Sequence, residues 1–581
     1  MKEARLLPVH SLMPSSRTKD HIARLDQSFQ DEISKSLAQA LKDNPNLTPQ
    51  EVLLSIQRDM LEHNPYTPPK DGSCPINKLP SKLLASIFRQ GIDMQHEEWE
   101  EMISDEGEWE DVDDDDEAED SDEDGNDADE SSESPSSAIV DDRDTFPLQV
   151  LVSHICRRWR SLALHTPELW TAFTFRKQLR LDKAKAYISR SGGSPLRISV
   201  DCQFPYQDQS EEGDIQEHDE CRIKQSCLSL EDLSQILDLL DPETFRLQEF
   251  SFRANTYNYV HLLLARLQKM PAAQLLESFQ IYLNRDQDDH GTPSPSDGSL
   301  GYLPFQGQVP NLKEVTLCGV PIDWDSATFL RGLRRLGLEN LSTDIRPSYP
   351  TFAQTLKASP ELEALSLSRA GPSWPDGASE EIWSRELLIM PSLKELSLKY
   401  HDPSYASALI RRVHLPNLKK LSLYFNDGID CSEFVRVLAK PVEDSRQSVL
   451  QRISQLTILG LPCDVASMEI FLSQLTALKS LSIPTFGEEE EMIFEKIIDP
   501  TSLRCAETVM GGLPGVFCPQ LEEVIIGGCD GGRLKKFIIS RRDAGAPLKR
   551  MVLNENDDIS KEDEHWIRRN VQDLRFTTYI S

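Results

Sequence analysis

The chain of 581 residues is too long for one ordinary globular domain unless it forms a repeat array. Its formal net charge of −34 and the lack of Lys/Arg clusters along the sequence give no indication of a nucleic-acid-binding surface, because backbone phosphates need clustered cations. The 11 cysteines fit neither a CxxC motif nor a zinc-site spacing, which indicates reduced thiols in the cytoplasm or the nucleus. We predict no signal peptide, because the N-terminus lacks an apolar core of about 7–15 residues, and no membrane span, since no stretch approaches about 18 apolar residues.

Residues 1–70 are predicted to form an N-terminal helical segment. Apolar residues recur every three or four positions from Ile22 to Leu41, which places them on one face of a helix. A second helix is indicated by Thr48-Pro49-Gln50-Glu51, where Thr48 and Glu51 form a capping box. The two helices either pack on a neighbouring domain or form a coiled coil with a partner.

Three short helices are predicted between residues 71 and 180. The first begins at Leu79-Pro80, and the third begins at Thr166-Pro167, with Thr166 as the cap and Pro167 in the first helical position. The first two carry apolar faces that could cover each other. The residues on these faces are Leu83, Leu84, Ile87 and Phe88 on the first helix, and Leu148, Val152, Ile155, Trp159 and Leu162 on the second.

An acidic insert, at about residues 97–144, separates the first helix from the second. It contains 26 Asp and Glu residues and a single basic residue, Arg143, a net charge of −25. Few apolar residues and strong self-repulsion predict disorder. Closing a loop about ten times longer costs only about 2 kcal/mol, so the helices on either side can still form one small domain. The insert is either a passive solvated excursion or an electrostatic tether that phosphorylation could tune.

The two halves of this helical module together resemble the F-box in its fungal form. The resemblance rests on "INKLPSKLLASIF" and on "VSHICRRWRSLALHTPELW", with Leu79-Pro80 in the first half and Cys156-Arg157-x-Trp159-Arg160 in the second. The long insert departs from most F-boxes. The resemblance implies docking on the Skp adaptor and the cullin scaffold of a ubiquitin ligase, although each residue could equally serve the core of the module. The residues that the resemblance assigns to adaptor binding are Leu79, Pro80, Leu83, Leu84, Ile87, Phe88, Val152, Cys156 and Trp159.

Residues 181–581 carry an internal repeat of the form LxxLxL. Eleven copies begin between Leu247 and Leu548, at an average interval of about 30 residues, which is the signature of leucine-rich repeats. The intervals are uneven, so an irregular solenoid is expected. The predicted fold class is therefore α/β, with a small helical F-box module followed by a leucine-rich-repeat solenoid of parallel strands and helices. Two polar stretches, 203–228 and 285–310, are predicted to be surface loops.

The last two apolar residues of each repeat should point inward, so the residues beside them should line the concave face of the solenoid. These neighbours are polar and of mixed sign, which suits either the binding of a target protein or a plain solvated face. The positions proposed for target binding are Glu314, Thr316, Arg335, Glu339, Glu395, Lys399, Lys420 and Tyr424, with Ser397 and Ser422 beside them.

No catalytic or cofactor motif is found, so we predict that the protein is not an enzyme and holds no cofactor or metal. The glycine-rich "GGCDGG" at 527–532 lacks the Lys of a phosphate-binding loop and is interpreted as a turn between repeats. The main hypothesis is a substrate-recruiting subunit of a Skp–cullin–F-box ubiquitin ligase whose repeats bind an unknown protein substrate. The alternative is a scaffold outside any ligase, whose acidic insert binds basic proteins.

Overall fold

The computed structural model of the protein contains two compact units. The helical unit comprises the described residues up to Ala172 together with Lys183–Ser194, and the sheet unit comprises Phe173–Asp182 and the described residues from Pro195 onward. Residues 183–194 thus join the helical unit, beyond the boundary predicted at 180. The predicted N-terminal helices lie outside the described residues, as does most of the acidic insert. The structure describes residues 75–105, 147–176, 179–203, 227–284, 301–374, 383, 386–425, 428–441, 447–485, 493, 496–497, 517–555, 557 and 559–577.

The helical unit is built from the helices α1 (Ser81–Asp105), α2 (Leu148–Ile155) and α3 (Arg157–Leu164), followed by a 3-10 turn over Pro167–Trp170. Its core is apolar and is contributed by all of these elements. Trp170 is buried, and its indole Nε1–H donates to the Ala163 carbonyl oxygen at 2.8 Å, which satisfies the polar atom of the ring. The buried apolar side chains of the unit include Leu84, Phe88, Ile92, Val152, Ala163, Leu169 and Trp170.

Three details of the helical unit differ from the sequence prediction. The second predicted helix is two helices, because Cys156 is extended (φ −153°, ψ 167°) and its Sγ accepts a hydrogen bond from the Trp159 N–H, which starts α3. The Thr166 hydroxyl does not cap the following turn, since it donates to the Leu162 carbonyl oxygen at 2.7 Å instead. Helix α1 continues to Asp105, so the insert is shorter than predicted at its N-terminal end.

The sheet unit contains a single 14-stranded sheet in which every pair from β2 to β16 is parallel. A separate two-stranded parallel ribbon joins β8 (Leu388–Ile389) and β10 (Val413–His414). The other strands follow chain order across the large sheet: β1 (Ala172–Phe175), β2 (Leu196–Asp201), β3 (Leu247–Ala254), β4 (Ser278–Leu283), β5 (Glu314–Cys318), β6 (Arg335–Glu339), β7 (Ala364–Ser368), β9 (Glu395–Lys399), β11 (Lys420–Tyr424), β12 (Gln455–Leu459), β13 (Ser480–Ile483), β14 (Glu523–Ile526), β15 (Arg550–Asn554) and β16 (Asp573–Thr577).

All eleven predicted LxxLxL copies form neighbouring strands of this sheet, in the predicted order. Their registers align the apolar residues in two columns that cross the sheet: Val315 pairs with Leu336 in one column, and Leu317 pairs with Leu338 in the other. Both columns are buried, because alternate residues of a strand point to the same face. The first apolar residue of each copy is buried as well. The α/β class and the parallel sheet are therefore confirmed. Strands β1, β2 and β16 lack the repeat pattern and lie outside its predicted copies.

Helices fill many of the connections between strands. Short polar side chains begin them, as capping chemistry requires: Ser229, Asp402, Asp464, Asp530 and Ser560 each accept a hydrogen bond from a first-turn backbone N–H. Asp530 lies within "GGCDGG", so this stretch starts a helix as well as turning the chain. The remaining helices are α4 (Leu181–Ser191), α5 (Leu230–Leu240), α6 (Tyr257–Leu267), α7 (Tyr349–Lys357), α8 (Pro403–Ile410), α9 (Ser432–Ala439), α10 (Val465–Gln474), α11 (Gly531–Asp543) and α12 (Lys561–Asn570).

The stretch 285–310 is not wholly a surface loop. Residues 285–300 lie outside the described residues, but residues 301–310 pack against the repeats. Phe305 is buried and its ring lies 5.8 Å from that of Phe279, at 71°. Tyr302 is also buried and forms an isolated parallel bridge with Ile322. Two aromatic rings in a polar sequence thus extend the core. Of the other predicted loop, 203–228, only residues 203, 227 and 228 are described, and Leu228 is buried.

One buried histidine makes the sheet unit sensitive to acid. His401 follows β9, stacks on Tyr405 with ring centroids 4.9 Å apart, and has its Nε2 3.1 Å from the Leu367 carbonyl oxygen. A neutral imidazole can donate Nε2–H to that oxygen. Burial lowers the pKa of His401 from 6.5 to about 4, in spite of the hydrogen bond to Leu367, which acts in the opposite direction.

We predict that His401 reduces stability in acid. Because its folded pKa lies below its unfolded pKa, the contribution is fully present above pH 6.5 and is lost as the pH falls towards about 4. The loss amounts to up to about 3 kcal/mol. His401→Gln keeps an N–H donor and removes the titration, so the urea midpoint of the variant should fall less than that of the wild type between these pH values. His565→Gln, at an exposed position, is the control. Parallel pH profiles for the wild type and His401→Gln would contradict the prediction.

Candidate functional site

The first candidate surface is an apolar face of α1 that the helical unit does not cover. Leu83 is 54% exposed and Ile87 is 48% exposed, one helical turn apart. Pro80 is exposed just before them, and its carbonyl oxygen accepts the Leu84 N–H at 3.1 Å, so it stands at the start of the helix. Two large aliphatic side chains on neighbouring turns of one helix form a contact site that a partner protein can bury. We call Pro80, Leu83 and Ile87 the exposed α1 face.

Other residues predicted to bind an adaptor lie in the core instead. Leu84, Phe88 and Val152 are almost wholly buried, so no partner can contact them in the folded unit. Their burial favours the alternative that they serve the core, and on α1 each buried residue directly follows an exposed one, Leu84 after Leu83 and Phe88 after Ile87. Trp159 is half-buried, and its ring packs on Phe88 with centroids 4.9 Å apart.

The remaining two predicted residues, Leu79 and Cys156, hold the ends of helices in place. The Leu79 carbonyl oxygen accepts a hydrogen bond from Arg158 Nη2, which ties the start of α1 to α3. Cys156 accepts the Trp159 N–H through its Sγ at 3.5 Å. Gln95 supplies a further link, since its Oε1 accepts the Leu148 N–H at 3.0 Å on the far side of the insert. These bonds fix the geometry on which the exposed α1 face depends.

Sequence reasoning missed one exposed apolar residue of the helical unit. Ile155 was assigned to the apolar stripe of a continuous helix, yet it is 56% exposed. Ile155 is the last residue of α2, whose buried side chains are Gln149, Val152 and Ser153, so it lies off the buried face of its own helix. The sequence signal for the end of this helix is the Cys-Arg-x-Trp-Arg motif, whose thiol can cap a new helix.

The second candidate surface is the open face of the sheet, formed by residues that alternate with the buried columns. All eight residues predicted for target binding lie there, on β5, β6, β9 and β11. Several neutralise one another: Arg335 Nε is 3.7 Å from Glu314 Oε1, and its Nη1 is 4.0 Å from Glu395 Oε2. These exposed pairs contribute little to stability.

Tyr424 is less accessible than the sequence suggests. It lies on the open face but is only 5% exposed, and the Lys399 Nζ is 4.5 Å from the centre of its ring. Its prediction as an open contact residue is therefore wrong. The neighbouring Tyr400 ring lies 6.5 Å away, and the Arg369 guanidinium is 5.1 Å from the centre of the Tyr400 ring. Sequence reasoning missed Arg369 and Tyr400, which come directly after the predicted strands.

Arg369 and Tyr400 occupy an unusual backbone conformation. Their φ angles are 45° and 55°, in the left-handed region where side chains other than glycine are uncommon. In several repeats the second residue beyond the last buried strand position adopts this conformation, because the chain must turn out of the sheet there. The residues are Gly319, Asn340, Arg369, Tyr400, Gly460 and Gly528. Three repeats have glycine at this position, whereas two others have Arg369 and Tyr400, which place a large side chain at the edge of the open face.

The buried thiols offer no reactive group. Burial raises the pKa of Cys318, Cys463 and Cys518 to about 12, so their nucleophilic thiolate forms are scarce at neutral pH. Among the described residues, no group of three His, Cys, Asp or Glu side chains is placed to hold a metal ion. None of the described helices combines the length and apolar character needed to cross a membrane.

No protein-family model matches the chain, and no curated protein matches it either. The roles of the exposed α1 face and of the open face of the sheet are therefore argued from their residues.

We predict that neighbouring residues of α1 differ sharply in their effect on stability. Leu84→Ala should cost about 2–5 kcal/mol, because it leaves a cavity in the core, whereas Leu83→Ala should change stability by less than about 0.5 kcal/mol. Amide hydrogen exchange of residues 148–164 measures this directly. Exchange should accelerate strongly in Leu84→Ala and stay at the wild-type rate in Leu83→Ala. Equal exchange rates in the two variants would show that the division between core and surface is misassigned.

Proposed function

We propose that the chain is the substrate-recruiting subunit of a Skp–cullin–F-box ubiquitin ligase. In this proposal the helical unit is an F-box that docks on the Skp adaptor, and the sheet unit is a leucine-rich-repeat solenoid that binds the target protein. The cullin scaffold joins the complex through the adaptor.

The exposed α1 face is the observation that carries the proposal. Leu83 and Ile87 remain about half exposed although the core beneath them is filled by Leu84 and Phe88. Full burial of one such aliphatic side chain is worth about 1.5–3 kcal/mol, and each is already about half buried, so a partner that covers both gains roughly 1.5–3 kcal/mol in total. The same residues belong to the Leu-Pro segment through which the sequence resembles an F-box.

The parallel sheet supports the second half of the proposal. Eleven in-register LxxLxL strands, with helices in many of the connections, are what stacked leucine-rich repeats require. Such an array exposes a long row of strand residues, including Glu314, Thr316 and Lys420, that is free of the constraints of the core. A row of this kind can vary in charge and shape to select one target.

The proposed mechanism is proximity. The chain holds a target protein near a ubiquitin-charged enzyme and thereby raises the effective concentration of the target's lysines. It contributes no reactive side chain to the transfer. Both binding surfaces must be occupied at the same time for the mechanism to operate.

A scaffold outside any ligase is the second candidate, and the composition of the insert favours it. A charge of −25 over residues 97–144 would attract basic proteins at low ionic strength. A pull-down of the full chain discriminates between the two. The Skp adaptor and cullin are expected for the ligase subunit, and basic proteins without either are expected for the scaffold.

We predict that Leu83→Ser combined with Ile87→Ser weakens binding of purified Skp adaptor about tenfold or more. Both side chains are already about half buried, so each substitution removes roughly 0.8–1.5 kcal/mol of further apolar burial, and 1.4 kcal/mol corresponds to a factor of ten. Isothermal titration calorimetry of the full chain with the adaptor provides the measurement.

The matched control is Val465→Ser combined with Ile470→Ser, which removes two comparably exposed aliphatic side chains from α10 of the sheet unit. The control should bind the adaptor like the wild type, and both double variants should keep the wild-type circular dichroism spectrum. Unchanged adaptor affinity in a folded Leu83/Ile87 variant would refute the proposed docking face. Absence of any adaptor binding by the wild type would refute the proposed function itself.

A further inference from the structure

Positive charge is concentrated on one part of the open face. On each strand we count the charges at the three positions that alternate with the two buried columns and at the residue that precedes the first of them. On β9, for example, these are Glu395, Ser397, Lys399 and the preceding Lys394. On β9, β11, β12 and β13 these positions hold five lysines and one acid, Glu395, a net charge of +4. The same positions on the nine strands β2–β7 and β14–β16 sum to −1. We call the five lysines the basic strand patch: Lys394, Lys399, Lys419, Lys420 and Lys479.

The patch is not neutralised within the unit. Within the described part of the chain, Lys419, Lys420 and Lys479 form no ion pair, and all three are exposed. Glu522 lies near Lys479, but its carboxylate is bound by Lys549 Nζ at 2.6 Å. Glu395 is the cross-strand neighbour of Lys420, but one acid among five lysines leaves an excess of positive charge, and an anionic ligand lowers the repulsion among these cations.

The remaining two lysines define the limits of the patch. Lys394 Nζ is 2.9 Å from Glu363 Oε1, on the side of β7. Lys399 lies at the other end of β9 and covers the ring of Tyr424, the last residue of β11. Both of these lysines lie at β9, on one side of the patch, so the patch lysines without an ion pair among the described residues are those at β11 and β13.

Between the lysines, the middle outward positions carry short hydroxyl side chains. Ser397, Ser422, Thr457 and Ser482 follow one another on adjacent strands. The Oγ atoms of Ser397 and Ser482 are buried and form no hydrogen bond within the described residues. Ser422, Thr457 and Ser482 are buried among their neighbours, so the row forms a filled floor, and the exposed lysines beside it are the groups that a ligand can contact.

We infer that the basic strand patch binds an extended, Asp/Glu-rich segment of the target protein. Adjacent strands lie about 4.8 Å apart, so Lys420 and Lys479, two strands apart, are about 10 Å apart at their backbones. Alternate residues of an extended segment are about 7 Å apart, and flexible lysine side chains can bridge the difference. That the acidic segment belongs to a ligase target rests on the proposed function. The binding itself does not.

The composition of the patch favours dispersed carboxylates over phosphate or nucleic acid. All five cations are lysines, which act as separate point charges, whereas a single phosphate group is best held by the two-pronged guanidinium of Arg. A single-stranded nucleic acid would also need open aromatic faces for its bases. The nearest ring on these strands, that of Tyr424, is buried beneath Lys399.

The test measures the binding of fluorescent peptides of about twelve residues to the full chain by anisotropy, without any adaptor. The probes are an alternating Glu/Ser peptide, a matched Gln/Ser peptide, the Gln/Ser peptide with one phosphoserine, and a single-stranded DNA. The Glu/Ser peptide should bind most tightly, and its affinity should fall steeply as salt is raised from about 0.05 to 0.3 M. Binding that is equal for the Glu/Ser and Gln/Ser peptides, or tighter for the phosphopeptide or the DNA, overturns the inference.

The variant Lys419→Glu/Lys420→Glu/Lys479→Glu should weaken Glu/Ser binding at least about tenfold, because it replaces attraction by repulsion at three positions. The charge-matched control is Lys269→Glu/Lys536→Glu/Lys561→Glu, which changes three exposed lysines outside the patch. Its affinity should change less than about twofold, since distant exposed charges are screened. An equal loss in both variants would mean that net charge alone drives binding, which overturns the inference.

Two further variants separate the possible causes of failure. The Leu83→Ser/Ile87→Ser chain should bind the Glu/Ser peptide like the wild type, so loss of adaptor docking and loss of peptide binding are distinguishable. Replacing residues 106–146 by a neutral linker should leave the peptide affinity unchanged. A large gain of affinity in that variant would show that the acidic run of the chain itself occupies the patch, which contradicts its assignment to a target.

Discussion

The parallel in-register stacking of the repeat strands is the constraint on which the sheet unit depends. Each strand is only four to eight residues long and pairs on both sides, so its two apolar residues must align with those of its neighbours. A shift of one residue would bury Glu314 and Thr316 and expose Val315 and Leu317. The register therefore fixes, in a single step, which side chains form the core and which form the open face. The charge distribution of that face follows directly from the order of the strands.

The helical unit solves a different problem, because it is too small to bury every apolar residue of α1. Leu84 and Phe88 fill its core together with Val152 and Trp170, and Leu83 and Ile87 are left half exposed. Hydrogen bonds from Arg158 to Leu79 and from Leu148 to Gln95 hold this arrangement across a break in sequence of more than 40 residues. The unit is a candidate docking module because these hydrogen bonds hold in place a helix with two half-exposed apolar side chains.

The sequence alone predicts the repeats well, since alternate apolar residues at a period of about 30 have one simple explanation. It predicts the individual contacts less well. Tyr424 was expected to be open, but neighbouring side chains across the sheet cover it, and such cover depends on three-dimensional spacing. Ile155 was expected in the core, but it lies off the buried face of α2, which Gln149, Val152 and Ser153 form. Tyr302 and Phe305 were hidden in a polar stretch, because two isolated aromatics form no pattern. The basic strand patch could not be seen before the register was known, since its lysines are scattered over 86 residues of sequence.

The central claim is that one chain binds an adaptor through the exposed α1 face while the open face of the sheet stays free for a target. Site-specific photocrosslinking tests it most directly. A benzophenone amino acid is placed at position 83 or at position 420, and each full-length protein is mixed with purified Skp adaptor and irradiated. The account predicts a covalent adduct with the adaptor from position 83 and none from position 420. An adduct from position 420, or none from position 83 in a folded protein, would contradict it.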